Sequence, residues 1–495
     1  MTVAGQPNIL LIVSDQHSRR VMGCAGDPVI RTPHLDALAA GGVMFDNAYC
    51  ASPLCVPSRM TMMTSRHCSD INVWDNSSYL ASDIPTFCHG LGIAGYECVL
   101  GGRMHFMGPD QRHGFHQRII GDVSAHTHPG GGGPNFVNIS PAGCGQSGAC
   151  VRVAGPGRSN YMAYDDLVAE ACAGFLRERG SAALPRGSGA DGPFCLVAGF
   201  VLPHCPFIAP KALYDYYYEN LPLPEIPEGY FENLHPAMKH WRQVRGVEDL
   251  TEEEIRKARA GYYGVVEYFD GIIGGLMGAL DDSGLRDDTI VIYLSDHGES
   301  AGENGLWWKS QFYEHGAGVP MIASGPGVPQ GLRRREVVSL LDLGPTLCDI
   351  AGGPELPAIS GRSLLPMLRG EDIPDWPNEA IAEMIGLGNY LPGKMIRRNE
   401  WKLIHYEGFE PMLFNLDDDP HEFTDRAADR DCRDVRNYLH DRVLQGWEPH
   451  RAVRQLQRER RDRQLITQWR QAWKDAPPDP DQCRTPDDVV VWPEE

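Results

Sequence analysis

Two spacings of apolar residues alternate along the first three quarters of the chain. Short apolar runs of strand length are separated by longer stretches with helical periodicity. Asn8–Asp15 (NILLIVSD) reads as a buried strand running into the polar cluster Ser14-Asp15-Gln16-His17. Pro33–Ala40 follows as a short helix that opens at Thr32 and stops at Gly41-Gly42. Further strands are predicted at Glu97–Leu100, Phe194–Phe200, Thr289–Leu294 and Met321–Ala323, and helices over Tyr164–Arg177 and Glu252–Leu280. Apolar strands alternating with helices predict an α/β fold, a doubly wound, mainly parallel sheet covered on both faces. Such sheets bind ligands at the carboxyl ends of their strands, where Asp15 and Asp296 fall.

The pattern lapses twice. Residues 121–160 carry Gly130–Gly133 and many small residues without periodicity, which predicts a long loop or insertion. From Trp376 onward, Met395–His405 and Met412–Leu416 read as two short strands around a turn at Glu407-Gly408, and Asp431–Leu444 reads as a helix. The chain therefore divides into a catalytic-sized domain over 1–375, a small α+β unit over 376–445 and a tail over 446–495. In the tail, Leu465, Trp469 and Trp473 follow a four-residue step that makes one helical stripe, alongside Leu456 and Ile466. A stripe at a chain end predicts an oligomerisation arm in a homodimer or homotetramer, with docking onto its own chain as the alternative.

Composition narrows the partners. The 495 residues are 42% hydrophobic and 22% charged, as in globular proteins, and 45 Lys and Arg against 66 Asp and Glu leave a formal charge of −21. That balance argues against nucleic acid and requires any anionic substrate to find a local cationic pocket. The longest apolar runs, around Ile9–Val13 and Phe194–Leu202, are strand-sized, so no membrane association is predicted. The start MTVAGQPN has no basic segment or small-residue cleavage site, which predicts a cytoplasmic protein whose 14 cysteines are mostly thiols.

One cysteine stands in a suggestive setting. In Pro53-Leu54-Cys55-Val56-Pro57-Ser58-Arg59, Pro57 can occupy a first helical turn, putting Cys55 at a helix N-terminus that favours anionic species. Read alone, Cys55 could equally be a small buried hydrophobe, Asp15 a helix cap, and Lys309 a solvated charge. Taken together, the segments resemble the sulfatase family of the alkaline phosphatase superfamily. Cys-x-Pro-Ser-Arg resembles its signature, in which the Cys is oxidised to formylglycine. Asp15-Gln16, Arg103-Met104-His105, Pro203-His204-Cys205-Pro206, Asp296-His297-Gly298-Glu299 and Gly305–Lys309 follow in the family's order. Ile396–Lys402, Leu413–Leu416 and Asp419-Pro420 resemble its C-terminal subdomain. The run Arg103–Phe115 is most similar to choline sulfatases, with phosphonate monoester hydrolases as further relatives. Arg103 stands where the family carries Lys, and His126–Gly133 holds no Trp or Tyr, so no aromatic box for a quaternary ammonium is predicted.

The resemblance implies an alkaline-phosphatase-like fold and hydrolysis of a small anionic ester, a sulfate monoester, by formylglycine made from Cys55 by a formylglycine-generating enzyme. It implies metal ligands at Asp15, Gln16, Asp296 and His297 with the modified Cys55. This oxygen-rich set with one imidazole suits a divalent cation, Ca²⁺ ahead of Mn²⁺ or Mg²⁺. It further implies His105 as the base that releases sulfate, His204 as the group that binds the ester oxygen or protonates the leaving group, and Arg59, Arg103 and Lys309 as the cationic pocket. Asn76 and Glu383 are carried as substrate contacts. A phosphonate monoester or phosphodiester hydrolase on the same residues, and a metal-bound protein in which Cys55 stays a silent thiol, are the rival readings.

Overall fold

A computed structural model describes residues 5–123, 146–181, 192–386 and 391–472. The strand Asn8–Asp15 lies in the middle of an eight-stranded sheet. The order is Leu332–Ser339, Gly42–Tyr49, Met321–Ser324, Thr289–Ser295, Asn8–Asp15, Phe194–Pro203, Glu97–Gly102, Gln117–Ile120. Met321–Ser324 runs antiparallel to both neighbours and the other pairs are parallel, so the sheet is mainly parallel as the sequence predicts.

Strand periodicity divides the core. Ile9, Leu11 and Val13 point into one apolar layer, and Leu10 and Ile12 into the other, because successive side chains of a strand face opposite sides. The helix Glu252–Asp282 covers the second layer, contributing Phe269, Ile273, Leu276 and Leu280. It opens on a capping box, in which Thr251 Oγ1 accepts from Glu254 N and the Glu254 carboxylate accepts from Thr251 N. The central strand pairs Val13 with Leu294 on one side and with Gly199 on the other. Its carboxyl end therefore opens beside those of Thr289–Ser295 and Phe194–Pro203, where Asp15, Asp296 and His204 emerge.

A four-stranded antiparallel sheet follows, in the order Glu379–Ile385, Pro392–Arg398, Trp401–Tyr406, Met412–Asn415. Its Ile396, Leu403 and Leu413 pack under Leu439 and Val443 of the helix Arg433–Leu444, while Met395, Ile404 and Met412 join the first layer of the main core. The predicted single strand Met395–His405 is a hairpin arm pair, broken where Asn399 takes a left-handed φ of 50°. The loop prediction over 121–160 falls mostly on residues 124–145, outside the described residues, as does His126–Gly133; Gly148–Arg152 within it is a short helix.

The tail forms a helix, Pro449–Ala472. Its first half docks on its own chain: Ala452 and Leu456 are buried against Cys68, Trp74 and Ile385, and Arg460 pairs with Asp75 at 3.1 Å. Leu465 and Trp469 remain 69% and 56% exposed, and Trp473 lies outside the described residues. Among the described residues no helix is long and apolar enough to cross a membrane.

Candidate active site

Cys55 is the first residue of the helix Cys55–Thr64, with Pro57 inside its first turn, and is 1% exposed. Asn76 Oδ1 accepts from Val56 N at 3.1 Å and so caps the same helix end. Around the Cys55 sulfur, His297 Nε2 stands at 3.2 Å and Asp15 Oδ1 at 3.7 Å, and the His105 and His204 side chains also favour its charged form. Burial pushes this thiol up, but the charges of Lys309 and His297 outweigh burial and hold it well below the usual thiol range. Position 55 is thus built for an anion.

Asp15, Cys55, Asp296 and His297 are all buried, and their ligand atoms lie within 4.8 Å of one another. The two carboxyls respond differently. Burial and the facing Asp15 charge raise Asp296 despite Arg59, whereas Arg103 and Lys309 overcome burial at Asp15 and hold it below the usual carboxylate range. Two buried carboxylates and an imidazole nitrogen converging in this way fit a divalent cation, which would relieve their mutual repulsion. Gln16 stands beside them. Its N–H donates to Asp296 Oδ1 at 3.1 Å, its amide nitrogen donates to Glu299 Oε2 at 2.6 Å, and its amide oxygen accepts from Lys309 Nζ at 2.5 Å.

The cations divide into anchors and facing charges. Arg59, fully buried, spends its guanidinium on Asp296 Oδ2 at 2.8 Å, Asp15 Oδ2 at 3.3 Å and the Arg103 carbonyl at 2.9 Å. It locks the two carboxylates in place. Arg103 donates through Nε to Asp15 Oδ2 at 2.9 Å and through Nη2 to His105 Nδ1 at 2.8 Å. Its backbone crosses the strand Phe194–Pro203 at Gly199, where a Cβ would fall 1.9 Å from the Arg103 carbonyl oxygen. Only glycine admits that crossing.

The two histidines are set to opposite protonation states. Burial, reinforced by Arg103, lowers His105 to about 4, so at neutral pH its ring is neutral. His204 works against its own burial: the neighbouring Cys205 sulfur, 3.5 Å from His204 Nδ1, raises it to about 10. Cys205 is itself held low, first by a hydrogen bond with Cys150 and then, against burial, by His204. One histidine can accept a proton and the other can donate one.

Backbone strain marks the same residues. Gln16, His105, Trp308 and Ser310 adopt positive φ of 71°, 59°, 56° and 68°, each costing on the order of 1–3 kcal/mol. The surroundings hold them: Asp122 Oδ2 accepts from His105 N at 2.8 Å, and Glu299 Oε1 accepts from Ala301 N and Trp308 N at 2.7 and 2.6 Å. Burial raises Glu299 to about 7 even so. Asp122, Glu299 and Cys205 are positioning residues that sequence reasoning missed, although Glu299 and Cys205 stand inside the quoted motifs.

All the residues expected at the centre therefore converge except Glu383. Its buried carboxylate accepts from Ser69 N and pairs with Lys394 at 3.0 Å, at the seam with the small sheet.

The geometry has counterparts among known proteins. The Sulfatase family pattern matches residues 7–353, and that of the N-sulphoglucosamine sulphohydrolase C-terminal region matches 302–448. The chain is 34% identical over 443 residues to a choline-sulfatase of Rhizobium meliloti (strain 1021), covering 86% of this chain and 83% of that protein. It is 29% identical over 500 residues to arylsulfatase K of Danio rerio, covering 95% and 89%. The phosphonate monoester hydrolase of Silicibacter pomeroyi superimposes with a TM-score of 0.70 at 26% identity, over 89% of this chain and 95% of that one. The matched region carries the buried Asp15, Cys55, Asp296 and His297 cluster and the strands that present it, and on that correspondence the chain belongs to the sulfatase family.

Proposed function

We propose that this enzyme hydrolyses sulfate monoesters through formylglycine formed from Cys55 by a formylglycine-generating enzyme. The observation that carries this reading is Cys55 at a helix N-terminus, buried among two carboxylates and His297, with a neutral His105 and a protonated His204 that both favour its charged form. The sulfur atom stands in for the hydroxyl of a hydrated aldehyde. A divalent cation, Ca²⁺ by the oxygen-rich donor set, would be held by Asp15, Gln16, Asp296, His297 and the modified residue 55, and would withdraw charge from the nucleophile and the sulfate oxygens.

In this reading Arg103 and Lys309 bring positive charge to the sulfate, and Arg59 fixes the carboxylates beneath it. Asn76 at the helix end is a further substrate contact; Glu383 would act only from the seam. One hydroxyl of the hydrated aldehyde gives up its proton to solvent and forms a new S–O bond, while His204 donates its proton to the departing alcohol oxygen and the S–O bond to that oxygen breaks. The formylglycine carbon then carries a sulfate ester and one hydroxyl. His105 accepts that hydroxyl proton, the C=O bond re-forms, and the C–O bond to sulfate breaks, so no second attack on sulfur is needed. The free thiols of the described cysteines support a cytoplasmic setting, and exposed Leu465 and Trp469 support a contact between copies of the chain in a homo-oligomer.

Paired kinetics on aryl sulfate and aryl phosphonate monoesters test the reading. A higher kcat/KM for the sulfate supports it. Preference for the phosphonate would move the assignment to the phosphonate hydrolase reading, and no turnover of either would leave a metal-bound protein without catalysis.

A further inference from the structure

Beyond the active site, a second group of metal-binding side chains converges where the small C-terminal unit meets the main domain. Glu303, His315 and His421 bring a carboxylate oxygen and two ring nitrogens within 4.8 Å of one another. They come from three separate segments: the single turn Glu303–Gly305, the turn Glu314–Ala317 and the loop after the strand Met412–Asn415. None of them belongs to the Asp15, Cys55, Asp296, His297 cluster.

His315 is 6% exposed, and its Nε2 is buried without a hydrogen-bond partner among the described residues. A buried imidazole nitrogen left unsatisfied is costly, and a metal ion or an ordered water would satisfy it. The other two groups are held in position by their chain neighbours. Asn304 Nδ2 donates to the His421 carbonyl at 2.8 Å, tying Glu303 to His421. Glu422 Oε2 accepts from Glu314 N at 2.6 Å, tying His421 to His315. The His421 ring stacks on Phe423 with centroids 5.6 Å apart and planes 10° apart. Gly298, directly after the active-site His297, lets this region close up, since a Cβ there would fall 2.0 Å from the His315 carbonyl oxygen.

We propose that Glu303, His315 and His421 form a second metal site that binds Zn²⁺ and staples the C-terminal unit to the loop following the active-site Asp296-His297. Two imidazoles and one carboxylate are a zinc donor set, with a fourth position open to water. The surrounding charges do not draw in a cation by electrostatics alone, so binding would rest on the donor atoms. Arg259 pairs with Glu303 at 2.9 Å, Arg19 pairs with Glu314, and Arg20 donates to the Pro420 carbonyl. Glu303 is thus the one anionic ligand and is already offset by Arg259, so Ca²⁺ or Mg²⁺, which bind through oxygen and charge, gain little here.

The test uses the full-length protein, stripped with a chelator, saturated with calcium and titrated with Zn²⁺ while bound metal is measured by mass spectrometry. His421 is at the surface, so His421→Ala should fold, and Glu303→Gln is the isosteric second variant. Both are expected to lose a zinc ion that wild type binds and that Asp296→Asn retains. They should also lose the rise in melting temperature that zinc gives wild type. Cobalt in place of zinc should give the visible absorption of a tetrahedral, nitrogen-ligated ion in Asp296→Asn, and not after His421→Ala is added. Wild type taking up no zinc in calcium, or His421→Ala retaining it, would overturn the proposal.

Discussion

The protonation of His204 rests chiefly on its neighbour Cys205, and removing that charge gives a measurable pH shift. At 3.5 Å, a Cys205 thiolate and a His204 imidazolium attract by about 4.7 kcal/mol at an effective dielectric constant of about 20, equivalent to roughly 3.5 pH units. That attraction is the chief influence raising His204 from an ordinary 6.5 to about 10 against burial and Lys309. Cys205→Ala removes this charge but leaves the bond from His204 Nδ1 to the residue 205 carbonyl, 2.6 Å long, in place. With burial and Lys309 still opposing protonation, the pKa should fall to about 6.5 or lower. At pH 8 the protonated share would then drop from nearly all to about 3%, and turnover of an alkyl sulfate should fall about 30-fold. An aryl sulfate, whose leaving group needs little help from an acid, should change far less. The assay is kcat/KM for both esters from pH 6 to 10. The alkaline limb for the alkyl ester should move from near 10 to near neutrality, and Cys205→Asp, which restores an anion, should move it back. An alkaline limb that stays in place in Cys205→Ala would refute the assignment of His204 as the acid tuned by Cys205.

Other expectations follow from the same geometry. His105→Ala should slow steady-state turnover by about 10²–10⁴-fold and leave an initial burst with a sulfated residue 55 peptide detectable by mass spectrometry; equal slowing of the first turnover would pass the base role elsewhere. Asp15→Asn and Asp296→Asn should each lose bound divalent metal at the active site, read by metal analysis; stoichiometric retention would remove that residue from the ligand set. Arg59→Met leaves two buried carboxylates without their shared partner, so it should cost about 3–5 kcal/mol, read by denaturant unfolding of the metal-free protein, and divalent cation should restore part of it. A chain ending after Arg463 keeps the Arg460–Asp75 contact but removes Leu465 and Trp469; light scattering should show a smaller oligomer with activity retained, and an unchanged size would refute a contact there.

Strand and helix positions were legible where periodicity is strong. Asn8–Asp15 and Pro33–Ala40 match their predicted bounds, because an unbroken apolar run and a Thr/Gly-bounded helix leave few alternatives. Apolar periodicity does not mark the strands Gly42–Tyr49 and Leu332–Ser339. The first carries Asp46 and Asn47 and the second Arg333–Glu336, since these strands lie at and beside a partly exposed sheet edge. Strand direction is not written in periodicity, so the antiparallel Met321–Ser324 could not be foreseen.

At the site, residue type identified the chemical groups, but their partners came only with the fold. Arg59, expected in the cationic pocket, has its guanidinium paired with both Asp15 and Asp296. The amide oxygen of Gln16 is held by Lys309, and Glu383 is paired with Lys394; both facts depend on long-range packing. The opposite protonation of His105 and His204 comes from burial reinforced by Arg103 at one and from Cys205 acting against burial at the other, which spacing along the chain does not reveal.

The chemical state of residue 55 in active protein tests the account most directly. Mass spectrometry of the peptide containing Pro53–Arg59, taken from a preparation whose aryl sulfate turnover has been measured, should give formylglycine or its hydrate. The turnover rate should scale with the modified fraction across preparations. Full activity from protein carrying only an unmodified Cys55 thiol would contradict it.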